Sequence, residues 1–158
     1  MPRFLVLLVA LSFIAPALAS DKSDVLAVVH QWVDSYNKGD TKAAAATCAD
    51  EAVIIDDIPP YEWHGPGACG AWIESFNALA KQSNFTFDHA EITKVRHVEI
   101  TGDAAYVPTL LIVAMKNKDG VVEANKGTWA LVLKKSSGAW RITGWSWQSL
   151  GPVAPPKS

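Results

Sequence analysis

The sequence carries little charge of either sign. Lys and Arg total 14 and Asp and Glu 16 among 158 residues, for a formal net charge of −2. There is no run of cations; Lys134-Lys135 is the densest basic pair. Nucleic acid is gripped through clustered cations, so a nucleic-acid binder that works by charge is excluded. The four His show no HxH or HxxxH spacing, and only two Cys are present, so no metal site is expected and no pattern calls for a cofactor. No internal repeat occurs, which sets aside solenoids and propellers. Hydrophobic residues reach 49%, too many for a disordered chain.

Long apolar runs are also scarce. The main one, residues 4–15, falls short of the ~18–20 residues that a membrane span needs. Pro2-Arg3 precedes it, Pro16 breaks it, and Ala17-Leu18-Ala19 supplies small residues at the −3 and −1 positions of a cleavage site. This reads as a secretory signal cleaved after Ala19, with no stable membrane anchor and a periplasmic or secreted product. Export would put Cys48 and Cys69 in an oxidising compartment, where they form a disulfide or pack as two buried thiols.

Aromatic residues are abundant: seven Trp, five Phe and three Tyr. Side chains this large must build the core or a pocket. The length suits a single domain, taken here as residues 20–149, followed by a Pro-rich disordered tail at 150–158. Val25, Val29, Trp32, Val33 and Tyr36 recur at helical spacing and predict a first helix over 23–38, stopped at Gly39. Asp40 caps an Ala-rich second helix over 41–48. Residues 52–56 read as a β-branched strand, Pro59-Pro60 as a turn and 61–64 as a short returning strand. A third helix carries Cys69, Trp72, Ile73, Phe76 and Ala80 on one side, and Trp72 is assigned to core packing. Four strands follow, at 85–100, 104–116, 121–135 and 139–148, joined by short Gly-bearing turns. Helices followed by a meander predict an α+β fold with the helices on one face of a bent antiparallel sheet.

Several stretches carry a family likeness: Val28-Val29-x-x-Trp32, Asn37-x-Gly39-Asp40, Cys48-Ala49-Asp50-Glu51-Ala52-Val53, Trp63-His64-Gly65 and Gly138-x-Trp140-Arg141-Ile142. Over residues 24–148 the chain resembles the nuclear transport factor 2-like superfamily, which includes ketosteroid isomerases and SnoaL-like cyclases. The resemblance implies a cone-shaped, curved antiparallel sheet with three helices packed on its concave side. It puts Asp56 at the isomerases' catalytic base position and His64 near the pocket mouth, as a possible acid–base partner. It puts Trp32 and Trp129 where those enzymes keep oxyanion donors. An indole only donates a hydrogen bond, so a steroid isomerase mechanism is disfavoured. Tyr36, Tyr61, Trp63 and Tyr106 complete the expected ligand-binding set. Three functions compete: a binder of a small apolar molecule, an isomerase, dehydratase or cyclase using Asp56 with His64, and a dimeric interaction module. Both faces of the strand around 106–115 are apolar, which predicts a homodimer through the outer face of the sheet.

Overall fold

The computed structural model describes residues 14–155. The expected leader lies outside them, apart from 14–19, which open the first helix. The elements run α1 (Ile14–Asn37), α2 (Thr41–Ala45), β1 (Cys48–Ile55), β2 (Glu62–Pro66), α3 (Ala68–Ser83), β3 (Phe85–Val95), β4 (Glu99–Thr101), β5 (Ala104–Asn117), β6 (Val122–Ser136) and β7 (Ala139–Val153). Among the described residues no helix is long and apolar enough to cross a membrane.

The stripe Val25, Val29, Trp32, Val33 and Tyr36 is the buried face of α1. Gly39, at φ 75°, closes the helix, and the Asp40 amide turns back to the Ser35 carbonyl at 2.9 Å. Asp40 then caps α2, its carboxylate accepting from the Ala43 amide at 2.9 Å. At the C-terminal end of α1, the Asn37 side chain donates to the Ala90 carbonyl at 2.9 Å and accepts from the Ala90 amide at 2.8 Å. That pair of bonds fastens α1 to β3. At the other end, the Asp21 carboxylate holds Lys135 and accepts from the Trp140 indole at 3.2 Å, tying α1 to the β6–β7 hairpin.

The strands form a seven-stranded sheet in the order β2-β1-β7-β6-β5-β3, with β4 also paired to β5. The sheet curls without closing, and α1 and α3 pack inside the curl: Trp32 of α1 lies 5.2 Å from Trp129 of β6, and Trp72 of α3 lies 5.5 Å from Trp145 of β7, between ring centroids. This is the α+β cone expected from the sequence, with four differences in detail.

The sheet is not wholly antiparallel, because β1 runs parallel to β7, with Ile54 opposite Trp145. That pairing joins segments about ninety residues apart, which no local pattern encodes. It also needs Gly144, since a β-carbon there would sit 2.7 Å from the Val53 carbonyl oxygen. Second, the expected strand over 85–100 is two strands, β3 and β4, separated by a break in which the Arg96 amide donates to the Pro108 carbonyl at 2.9 Å. Third, α2 stops at Ala45 and Cys48 begins β1 rather than ending the helix. Fourth, the tail expected from residue 150 is ordered through Val153, which pairs with Ala124 of β6. Pro152 is tolerated there because β7 has outrun β1 and gives up no ladder bond on its open side.

Cys48 and Cys69 are joined by a disulfide, with their Cα atoms 6.5 Å apart. It links β1 to the first turn of α3 and closes a loop with a sequence separation of 21. A loop of that size stabilises the fold by about 3 kcal/mol through the unfolded chain's lost entropy. Denaturant unfolding with and without reductant should differ by about that amount. Identical midpoints would mean the cross-link restrains nothing.

Candidate functional site

Strand alternation explains how Asp56 becomes a site residue. Ala52 and Ile54 of β1 are buried, while Val53 and Ile55 face out. Asp56 is two residues beyond Ile54, so it continues the inward face just past the strand end. The following turn holds it there: the Asp56 amide donates to the Tyr61 carbonyl at 3.1 Å, and the Tyr61 amide to the Ile58 carbonyl at 2.8 Å. Asp56 is only 8% exposed. Its Oδ2 accepts a hydrogen bond from the Trp72 indole at 3.0 Å.

Asp56 lies in the wall of a cavity of about 240 Å³. This is small beside the roughly 300–1,000 Å³ common for ligand sites. Trp32 is the hub of the aromatic wall. Its ring centroid lies 5.1 Å from Tyr36, 5.2 Å from Trp129, 5.3 Å from Trp145 and 5.7 Å from Trp72. Phe76, Phe87 and Trp147 extend the lining, and Asp57, Asn125 and Ser149 add polar groups. Trp147 owes its position partly to Gly127 on the neighbouring strand, opposite Ser149: a β-carbon there would collide with the indole ring and come within 2.6 Å of the Gln148 carbonyl oxygen. Among the described residues the lining includes no Lys, Arg or His.

The electrostatics follow from this composition. Burial in the aromatic wall pushes the Asp56 carboxyl up to about 7, and the neighbouring Asp57 carboxyl adds to the rise. The Trp72 indole and the Asp57 backbone amide pull it partly back. Burial likewise pushes the Tyr36 phenol above its usual range, so it remains a neutral hydroxyl. The Trp32 indole N–H is buried with no hydrogen-bond partner among the described residues. Nor do the described residues contain a group of three His, Cys, Asp or Glu side chains able to hold a metal.

Of the residues predicted for the site, Asp56, Trp32, Tyr36 and Trp129 line the cavity. The other four do not. His64 is exposed on β2, opposite Val53 on the outward face of β1, and is not brought to Asp56. Trp63, next to it, is buried but points toward α3, where its indole donates to Ser75 Oγ at 3.0 Å. Tyr61 is 59% exposed; its backbone rather than its ring serves Asp56. Tyr106 is 44% exposed on the outer face of the sheet, its ring 6.0 Å from His97. Alternation would have told His64 from Trp63, because adjacent residues of a strand cannot share a face.

Trp72, Trp145 and Trp147 line the cavity without having been assigned to it. For Trp145 and Trp147 the usable signal was their odd-numbered spacing, which matches the inward face once Leu131 is set opposite Trp145. For Trp72 it was the helical stripe shared with Phe76.

The SnoaL-like domain family matches residues 25–147. The chain belongs to that family. Solved structures support the same fold. A ketosteroid isomerase-like protein from Erwinia carotovora atroseptica matches with a TM-score of 0.65 at 23% identity, covering 82% of this chain and 96% of that one. An NTF2-like protein with a cystatin-like fold from Novosphingobium aromaticivorans matches with a TM-score of 0.71 at 13% identity, covering 89% and 88%. A nuclear transport factor 2-like superfamily protein from Salmonella enterica serovar Typhimurium matches with a TM-score of 0.67 at 16% identity, covering 84% and 92%. No curated protein matches in sequence. At these identities the likeness speaks for the fold of this SnoaL-like domain, not for its chemistry.

Proposed function

We propose that this SnoaL-like protein is exported and binds a small apolar molecule in its aromatic cavity. One observation carries the reading: an aromatic-walled cavity with a single buried carboxyl, Asp56, held by Trp72. Apolar walls supply affinity through burial, and one fixed polar group supplies orientation. With five Trp in the wall, occupancy should register in intrinsic fluorescence. Titration with single-ring aromatic compounds should shift or quench the emission. At ligand concentrations about 100-fold above Kd it should also add about 2.7 kcal/mol of stability. Neither change up to millimolar concentration would sink the proposal.

The buried carboxyl also favours a second reading, acid–base catalysis. A carboxyl pushed to about 7 is matched to proton transfer near neutral pH. Under this reading Asp56 works without His64, and Trp32 and Trp129 stand where the isomerases keep oxyanion donors. Asp56→Asn would then abolish turnover while leaving substrate binding in place.

The homodimer belongs to the same proposal. Tyr106 and Val132 sit opposite each other on the outer face of β5 and β6 and are 44% and 46% exposed. Light scattering at micromolar concentration should give twice the chain mass; a monomer would refute the dimer.

A further inference from the structure

We propose that the ligand of this cavity is a cationic amine carried on a small aromatic or aliphatic body, with its ammonium group at Asp56. The inference rests on the binding reading above and names the class of molecule bound.

The wall is chemically one-sided. Asp56 and Asp57, adjacent in the chain, both line the cavity, and among the described residues no Lys, Arg or His lines it. Buried carboxylates are normally matched by a cation or by several donors. Here the Asp56 side chain has the Trp72 indole at 3.0 Å, the Asp57 backbone amide and the Asp57 carboxyl, itself an acid, as hydrogen-bond partners. A positive charge is the component the wall lacks. The rest of the wall suits one: Trp32, Tyr36, Trp72, Trp129 and Trp145 are electron-rich rings, and cations are attracted to the faces of such rings, Trp most of all. A carboxylate or phosphate ligand would meet two acids and no cation, so anions are rejected. A neutral apolar molecule fits the rings but brings no cation to the buried Asp56. The volume of about 240 Å³ limits the body to roughly one ring with a short arm.

In the empty cavity a proton takes the place of that cation. Asp57 of the β1–β2 turn and Trp72 of α3 touch Asp56, and the other polar groups of the described lining are the neutral Tyr36 of α1 and the uncharged Asn125 of β6 and Ser149 of β7. With the carboxyl half-ionised near pH 7, an arriving ammonium displaces the proton. Amine affinity should therefore rise as pH rises through 7, by about tenfold between pH 6 and 8. A neutral ligand that accepts a hydrogen bond from protonated Asp56 would show the opposite slope.

The test uses three probes of one shape on the purified full chain: 2-phenylethylamine, 2-phenylethanol and phenylacetate, followed by calorimetry at pH 6 and pH 8. At pH 8 the amine should bind about tenfold or more tighter than the alcohol, as hydrogen bonds to charged groups outweigh neutral ones. Phenylacetate should bind weakest, and only the amine should tighten with pH. Asp56→Asn should erase both the amine's advantage over the alcohol and its pH slope. Alcohol binding as tight as amine binding, or an amine affinity independent of pH, overturns the inference and leaves the apolar-ligand reading standing. Failure of all three probes to bind overturns both. The pH comparison needs only the native protein, so it decides the matter even if the variant does not fold.

Discussion

Replacing Asp56 by Asn is expected to make the protein more stable above pH 7 and to remove a pH dependence that the native protein has. In the unfolded chain this carboxyl ionises near 3.8, and in the fold at about 7. Between those values the folded state holds a proton that the unfolded state has released, so native stability falls as pH rises from about 4 to 7 and then levels off. The stabilising share is complete below the unfolded value and is gone once pH has passed the folded value. A shift of this size corresponds to something on the order of 4 kcal/mol. Asn keeps the shape and can still accept from the Trp72 indole, but it carries no charge to desolvate. The measurement is the difference in unfolding free energy between native protein and variant at pH 4 and pH 8. Asp21 and Asp88 titrate in both proteins and cancel in that difference; their lowered carboxyls work in the opposite direction, losing stability as pH falls. A difference that does not change between the two pH values would mean Asp56 is wet and ordinary. Asp57→Asn, at an exposed position, should change stability much less.

Trp32→Ala should cost about 3–5 kcal/mol, the usual range for emptying a large buried aromatic site. Trp32 is 4% exposed and lies within 6 Å, centroid to centroid, of Tyr36, Trp72, Trp129 and Trp145, so its loss removes the contact that α1, α3, β6 and β7 share. The cost should sit toward the lower end of the range, because the indole N–H has no partner and its removal relieves a small penalty. Trp32→Phe separates the two effects. It keeps a ring at the hub and deletes the unpartnered donor, so it should cost far less than the Ala variant. Denaturant midpoints for both variants check this. A loss under about 1 kcal/mol for Trp32→Ala would place the centre of the core elsewhere.

The two variants also mark how far a sequence can be read. Periodicity was enough to find the face of α1 that is buried, because helical spacing is local and its five apolar residues admit one arrangement. The same holds for Gly39 as the stop and Asp40 as the cap, where a few neighbouring atoms decide the outcome. Asp56 was expected at the site from family resemblance alone; strand parity would have pointed the same way, since Ala52, Ile54 and Asp56 alternate. His64 was misplaced because the family resemblance, which puts it near the pocket mouth, takes no account of the strand parity that turns it away from Trp63. Tyr106 was misplaced for a similar reason: in a strand apolar on both faces, composition does not say which side faces the helices. Trp145 and Trp147 depended on register between β6 and β7, and a slip of one residue would have turned both outward.

Local order and the α+β class were therefore already settled by amino-acid spacing, because each depends on contacts within a turn or a strand. Tertiary structure alone decided the parallel pairing of β1 with β7, the gathering of five Trp from α1, α3, β6 and β7 around one cavity, and the absence of any cation from its lining among the described residues. Those features depend on which distant segments meet, and the burial free energy that selects them is summed over the whole core rather than encoded at any one position.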